Sequence, residues 1–238
     1  MNTSFADIEK KENRKDLIIS ICVFLSGFSC FAQLYYFQPL LPDLAKDFIL
    51  SASESSFAIS FSTLGMVFGL FTTMFVADRI PRKKMIGTGL LSSSIFSVAA
   101  SFSPTFLPLI LLSAAKGFLL SGATSVSMAY IAEEVSSRNK GKIMGLYIAG
   151  NALGGMAGRV ISSWIGALYT WRIASVSIGL ICALFAILFL LFSPRSTNFM
   201  PRKESFHTLI IANLQLITSK ALIPFYLTGG LILGVFIP

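Results

Sequence analysis

The sequence predicts an all-α membrane protein: a six-transmembrane-helix bundle followed by the start of a seventh helix. Three observations predict it. Hydrophobic residues make up 54% of the 238 and charged residues 13%, where a soluble domain carries about 25% charged residues, so the chain lacks the polar groups to cover a water-facing surface. Apolar runs of about twenty residues, the length that spans a bilayer core, alternate with short charged loops. Within three of these runs small residues recur at every fourth position, which gives a helix a bare flank on which a neighbour can close.

Residues 1–16 read as a solvated cytoplasmic tail of mixed charge, with Lys10, Lys11, Arg14 and Lys15 against Asp7, Glu9, Glu12 and Asp16. The bundle is expected over 17–192. Its first span, 17–37, is too long for the apolar core of a cleavable signal and ends in Tyr35-Tyr36-Phe37, the aromatic type that anchors at membrane interfaces. A polar loop with Pro39, Pro42, Asp43, Lys46, Asp47 and Glu54 leads to the second span, 55–77, where Gly65, Gly69, Thr73 and Ala77 are spaced by four. The tight basic loop Asp78-Arg79-Ile80-Pro81-Arg82-Lys83-Lys84 precedes a third span at 85–103. Pro104 and Pro108 bracket an uncharged turn before the fourth, 109–131, with Ser113, Gly117, Ser121 and Ser125 on its small flank.

After the loop 133–142 comes the fifth span, 143–169, in which Gly150, Gly154, Gly158, Ser162 and Gly166 leave one face almost without side chains. In water such a segment is a poor helix, because each glycine costs about 0.8–1 kcal/mol relative to alanine. In lipid the backbone has to satisfy its own hydrogen bonds, so the helix forms. Thr170-Trp171-Arg172 is a minimal turn into the sixth span, 173–192. A polar cytoplasmic linker, 193–220, carries Arg195, Arg202, Lys203 and His207, and a seventh apolar run begins at 221, within which the sequence stops at 238.

The tail, the two-three loop, the four-five loop and the linker hold 15 of the 19 Lys and Arg, and the opposite loops hold only Lys46 and Arg172. Positive loops stay in the cytosol, so the N-terminus and the linker are expected inside a bacterial inner membrane. The net charge of +8 therefore sorts with topology and forms no basic face for nucleic acid. Cys22, Cys30 and Cys182 all fall in apolar runs without any CxxC or Cys/His cluster, which points to small buried residues and to neither a metal site nor a disulfide framework. The single histidine, His207, lies in the linker, and no phosphate-binding glycine loop is present. An intramembrane serine hydrolase is the weakest reading, an ATP-driven pump is excluded for this chain alone, and neither an enzyme nor a cofactor is expected.

The loop from Asp78 to Lys84 resembles the signature loop of the major facilitator superfamily, with Met74 and Pro81 standing where that pattern has glycine. Gly150-Asn151-Ala152-Leu153-Gly154-Gly155 resembles the family's antiporter signature, with Asn151 in place of proline. The stretch from Gly117 to Arg172, with Tyr130-Ile-Ala-Glu133-Glu134, is similar to bacterial inner-membrane transporters of the sugar-efflux and drug–proton-antiporter type. The resemblance implies a twelve-helix fold of two six-helix halves joined by a cytoplasmic linker, a solute site near the midplane, and rocking of the halves to alternate access. It also implies that this chain holds the N-terminal half and the start of the other, the C-terminal half being missing. Where the family's fourth span carries an arginine and a glutamine, this chain has Ser113 and Lys116.

Five residues are candidates for contact with solute or protons. Lys116 lies within an apolar run, where a charge costs at least about 2.5–3.5 kcal/mol, so it is expected to face a wet cavity or a partner, or to snorkel. Arg159 could bind an anionic group or reach the outer headgroups near Trp164 and Tyr169. Asn151 is expected to hydrogen-bond across helices. Gln33 and Tyr36 fit either a polar face into a cavity or an interfacial belt. Asp78, Arg79, Arg82 and Lys83 form the cytoplasmic gate motif, with Asp78 either bracing a helix end in the other half or pairing locally with Arg79 or Arg82. Gly150, Gly154, Gly155 and Gly158 form the packing seam. No acidic residue lies within any expected span. The expected activity is secondary active export of small organic solutes, with proton coupling. The competing expectations are a six-span structural or dimerising protein and a truncated, transport-inactive fragment.

Overall fold

The first helix, α1 (Phe5–Tyr35), begins well before the apolar run. Glu9, Lys10, Lys11, Glu12, Arg14 and Lys15 are strong helix formers, so the stretch read as a tail continues the helix from Phe5 onward. The computed structural model describes residues 5–201, 219, 222–224, 227–229 and 231. Most of the expected linker and seventh run therefore lies outside the described residues.

The expected loop after α1 is mostly helical. Pro39 opens a 3-10 turn, Gln38–Leu40, and Pro42 sits in the first turn of α2 (Leu41–Asp47). Proline is at home there because the N–H it lacks would have no partner. Buried Leu40 and Leu44 hold this segment to the bundle. Ile49 has φ 56° and is 93% exposed, an uncommon left-handed position for a β-branched residue. α3 (Ala52–Ser55) follows, closed by a capping box in which Ser51 and Glu54 satisfy each other's backbone N–H.

The long helices match the expected spans within a few residues: α4 (Phe57–Val76), α5 (Arg82–Ser101), α6 (Phe106–Glu134), α7 (Lys140–Leu168) and α8 (Trp171–Phe192). By length and composition, the segments around α1, α4, α6 and α8 are apolar enough to cross a membrane. α5 and α7 fall short because serine dilutes the first and glycine the second. Their lengths of 20 and 29 residues correspond to about 30 and 44 Å of helix, enough to span.

Glycine sets the packing. On α7, Gly150 lies on Phe24 of α1, Gly154 on Phe28 and Gly158 on Ala32, and the Ser162 hydroxyl donates to the Tyr36 carbonyl at 2.8 Å. Each partner stands 126 positions earlier (150 against 24, 154 against 28, 158 against 32, 162 against 36), so α1 and α7 run parallel and in register. A Cβ at Gly150 would stand 2.6 Å from the Phe24 carbonyl oxygen and one at Gly158 2.7 Å from Ala32 Cα. The α4–α6 seam repeats the device: Gly65 rests on the Ala114 backbone, Gly69 on Phe118 and Ser121, and Gly117 on the Ser62 carbonyl. α5 fills the gap between α6 and α8, with Gly89 on the Leu119 carbonyl and Gly179 of α8 on Ser94 and Val98.

Two apolar clusters form the core. One joins Ile19, Val23, Leu90, Leu120, Tyr130 and Phe189 towards the basic end, and the other joins Tyr36, Phe37, Leu44, Leu109, Trp171 and Ile178 towards the opposite end. Cys22, Cys30 and Cys182 are buried and unbridged. Residues 1–201 form one unit. In the other, the Leu222 and Ile223 amides donate to the Ser219 carbonyl.

Candidate functional site

Between the two apolar clusters the bundle is polar. Gln33 is fully buried on α1, where its amide nitrogen donates to Ser29 at 3.4 Å and its oxygen accepts from Ser97 of α5 at 3.2 Å. Tyr36 is also fully buried, its hydroxyl 2.8 Å from that of Ser175 on α8. Neither residue is at an exposed belt: Gln33 on α1 and Tyr36 in the turn that follows it are both 0% exposed.

Lys116 is 1% exposed. It does not snorkel: its ammonium lies 4.5 Å from the Tyr36 ring centroid and 4.8 Å from that of Phe37, and its Nζ has no hydrogen-bond partner among the described residues. A desolvated cation–ring contact contributes about 2 kcal/mol against an insertion cost of about 3 kcal/mol, so two rings suffice to hold the charge in place. They supply no opposite charge.

Arg159 is half-buried, whereas Trp164 and Tyr169 are both 66% exposed. Its guanidinium carbon stands 4.6 Å over the Tyr35 ring, and its Nε has no hydrogen-bond partner among the described residues. Lys116 thus packs on Tyr36 and Phe37, just beyond α1, and Arg159 on Tyr35, the last residue of α1. Asn151 lies elsewhere, beside Gly27 on the α1–α7 seam. Its side-chain oxygen has no hydrogen-bond partner among the described residues.

The gate motif assembles at the basic end. Arg82, at the start of α5, donates to Asp78 at 2.9 Å, to Glu133 at 3.1 Å and to the Ala77 carbonyl at 2.6 Å, and it stands 5.0 Å over the Phe199 ring. Burial pulls its pKa down, but the hydrogen bonds it donates to Glu133 and Asp78, with the charges of those carboxylates, outweigh this and hold it above the ordinary arginine value. Asp78 therefore pairs locally within this chain. The Lys83 ammonium donates to the Ser193 carbonyl at the end of α8, and Arg79 is exposed.

Sequence reasoning missed the acids that complete this end. Glu133 closes the Arg82 fork, while Glu134, whose side chain is fully buried, binds Lys15 at 2.9 Å, Thr197 at 2.9 Å and the Asn198 amide at 2.7 Å. Asp16 accepts from Ser136 and Asn139 across the α6–α7 loop. The adjacent acids at 133 and 134, facing three basic loops, were the available signal. At the other end Asp47 takes Arg172 at 2.8 Å and the Trp171 indole at 3.0 Å.

The profile of the Major Facilitator Superfamily matches residues 20–238. The chain belongs to that family. Among similar major facilitator proteins, an "Uncharacterized transporter" of Buchnera aphidicola subsp. Schizaphis graminum is 36% identical over 97% of this chain and 56% of its own length. The "Inner membrane transport protein YnfM" of Escherichia coli is 34% identical over 92% of this chain and 52% of its own. The "Uncharacterized MFS-type transporter YybF" of Bacillus subtilis is 32% identical over 91% and 54%. The chain spans about half the length of the curated relatives it matches. The solved structure of the proton:xylose symporter XylE superposes with a TM-score of 0.71 at 15% identity, covering 91% of this chain and 52% of that one. Major facilitator proteins are transporters in the bilayer, and the six long helices have the fold of one such half.

Proposed function

We propose that this protein is, or forms half of, a secondary active transporter that exports small organic solutes across a bacterial inner membrane by alternating access coupled to protons, with the N-terminus and the basic loops in the cytosol. One observation carries the reading: a lysine and an arginine are held at mid-depth in a transporter fold with no ion-pair partner among the described residues. A purely structural bundle gains nothing from an unpaired charge in lipid. The Arg82 cluster ties the start of α5 to the α4–α5 turn and to the end of α6, so the basic end of this half moves as one piece. No chemical transformation is assigned to the chain.

Transport is tested in proteoliposomes containing the full-length protein, by counterflow with a panel of labelled sugars, organic acids, amines and amino acids. Uptake of at least one solute above empty vesicles, accelerated by an imposed proton gradient, is the expected outcome. Rates equal to empty vesicles across the panel would contradict transport, and rates indifferent to the gradient would contradict proton coupling.

A further inference from the structure

Two cavities flank α1 near the basic end. The first, of about 450 Å³, lies between α1 and α7, where Asn13, Asp16, Leu17 and Ser20 of α1 face Lys142 and Leu146 of α7. The second, of about 280 Å³, lies between α1 and α8 and is lined by Ile18, Ile21, Cys22 and Leu25 with Leu188 and Phe192. Each set on α1 follows the i, i+3, i+4, i+7 spacing of one helix face. The second set is displaced by five residues, so its groove sits about 7.5 Å deeper along the helix and about 140° round it. Leu17 and Ile21, both exposed, form the ridge between the two.

The shallower cavity carries one charge of each sign. Asp16 is buried, and its hydrogen-bond donors Ser136 and Asn139 are neutral. Lys142 is exposed, and neither residue forms an ion pair among the described residues. The deeper groove is apolar throughout. A soluble zwitterion would use the first cavity alone, whereas an amphiphile matches both, in the order in which a bilayer passes from headgroup to hydrocarbon. We propose that the two cavities hold one phospholipid of the ethanolamine type, its ammonium against Asp16, its phosphate against Lys142, and one acyl chain passing over Leu17 and Ile21 into the α1–α8 groove. A glycerol headgroup brings no cation to Asp16, and the quaternary ammonium of choline has no N–H to donate to it. Only the choice of the inner leaflet rests on the orientation proposed above.

The test reads lipid-induced thermal stabilisation of purified, delipidated full-length protein in detergent. The probes are dioleoyl phospholipids with ethanolamine, choline and glycerol headgroups, and free phosphoethanolamine. The ethanolamine lipid is expected to raise the melting temperature at about tenfold lower concentration than the other two lipids, and free phosphoethanolamine at the same concentrations to leave it unchanged. Lys142→Gln, an exposed substitution, should melt like wild type without lipid and lose the preference for ethanolamine. Leu188→Trp, which fills the apolar groove, should weaken all three lipids. Equal stabilisation by the three headgroups, a preference that survives Lys142→Gln, or undiminished lipid effects in Leu188→Trp overturns the proposal. Full stabilisation by phosphoethanolamine alone overturns it too, since the site would then take a soluble zwitterion. No flux enters these readings, so their failure leaves the transporter reading standing.

Discussion

Replacing Gly154 with leucine is expected to unfold or aggregate the protein in detergent, with a loss of about 3 kcal/mol, the upper end of overpacking costs. A Cβ at this position falls on the backbone of Phe28, and backbone cannot rotate aside as a side chain does. To make room, α7 has to move off α1 and break the register fixed by Gly150, Gly158 and the Ser162–Tyr36 hydrogen bond. The same substitution at Gly145, on the same helix, meets nothing within 4 Å. There leucine replaces a poor helix former with a good one and stabilises by up to about 1 kcal/mol. Melting curves of the two variants against wild type check this, and opposite signs are the expected result. Equal effects would show that helix propensity alone, and not the seam, governs α7.

The second large effect belongs to Arg82. Removing its side chain in Arg82→Ala takes away hydrogen bonds to Asp78, Glu133 and the Ala77 carbonyl at once. Charge-assisted hydrogen bonds of this type contribute about 1.5–3 kcal/mol each when buried. The Asp78 and Glu133 side chains are 40% and 27% exposed, so water screens the pairs, and about 2 kcal/mol in total is expected. Arg82→Lys recovers little, because an ammonium cannot span three acceptors set for a planar fork. In a double-mutant cycle with Glu133→Gln the coupling energy is expected at about 1 kcal/mol. A value of zero would show that Arg82 and Glu133 stand together without holding the end of the bundle.

Much of this architecture was legible because bilayer thickness leaves little choice. Runs of about twenty apolar residues become helices at the places where charges stop them, and period-four glycine on α4 and α7 announced the two seams before any partner was known. The segment between α1 and α4 was harder to read. Pro39 and Pro42 look like loop residues until they are seen to sit in first turns, although the Ser51–Glu54 capping box was readable as a helix start. The surroundings of Lys116 were not legible at all. Its rings come from the turn after α1, some eighty residues earlier, and only the docking of α6 beside that turn brings them together. Glu134 is similar, since its partners arrive from α1 and from the segment after α8. Local pattern names the elements, while pairing of polar groups across long separations is settled by packing.

The proposed transporter requires the bundle to lie across a bilayer with its basic loops on the cytosolic side. Single cysteines at Ile49 and Lys84, both exposed and at opposite ends, placed in a background lacking Cys22, Cys30 and Cys182, test this with a membrane-impermeant maleimide on intact cells. The Ile49→Cys protein should label at once and the Lys84→Cys protein only after the membrane is opened. Labelling of Lys84→Cys in intact cells, or of Ile49→Cys only after lysis, would contradict it.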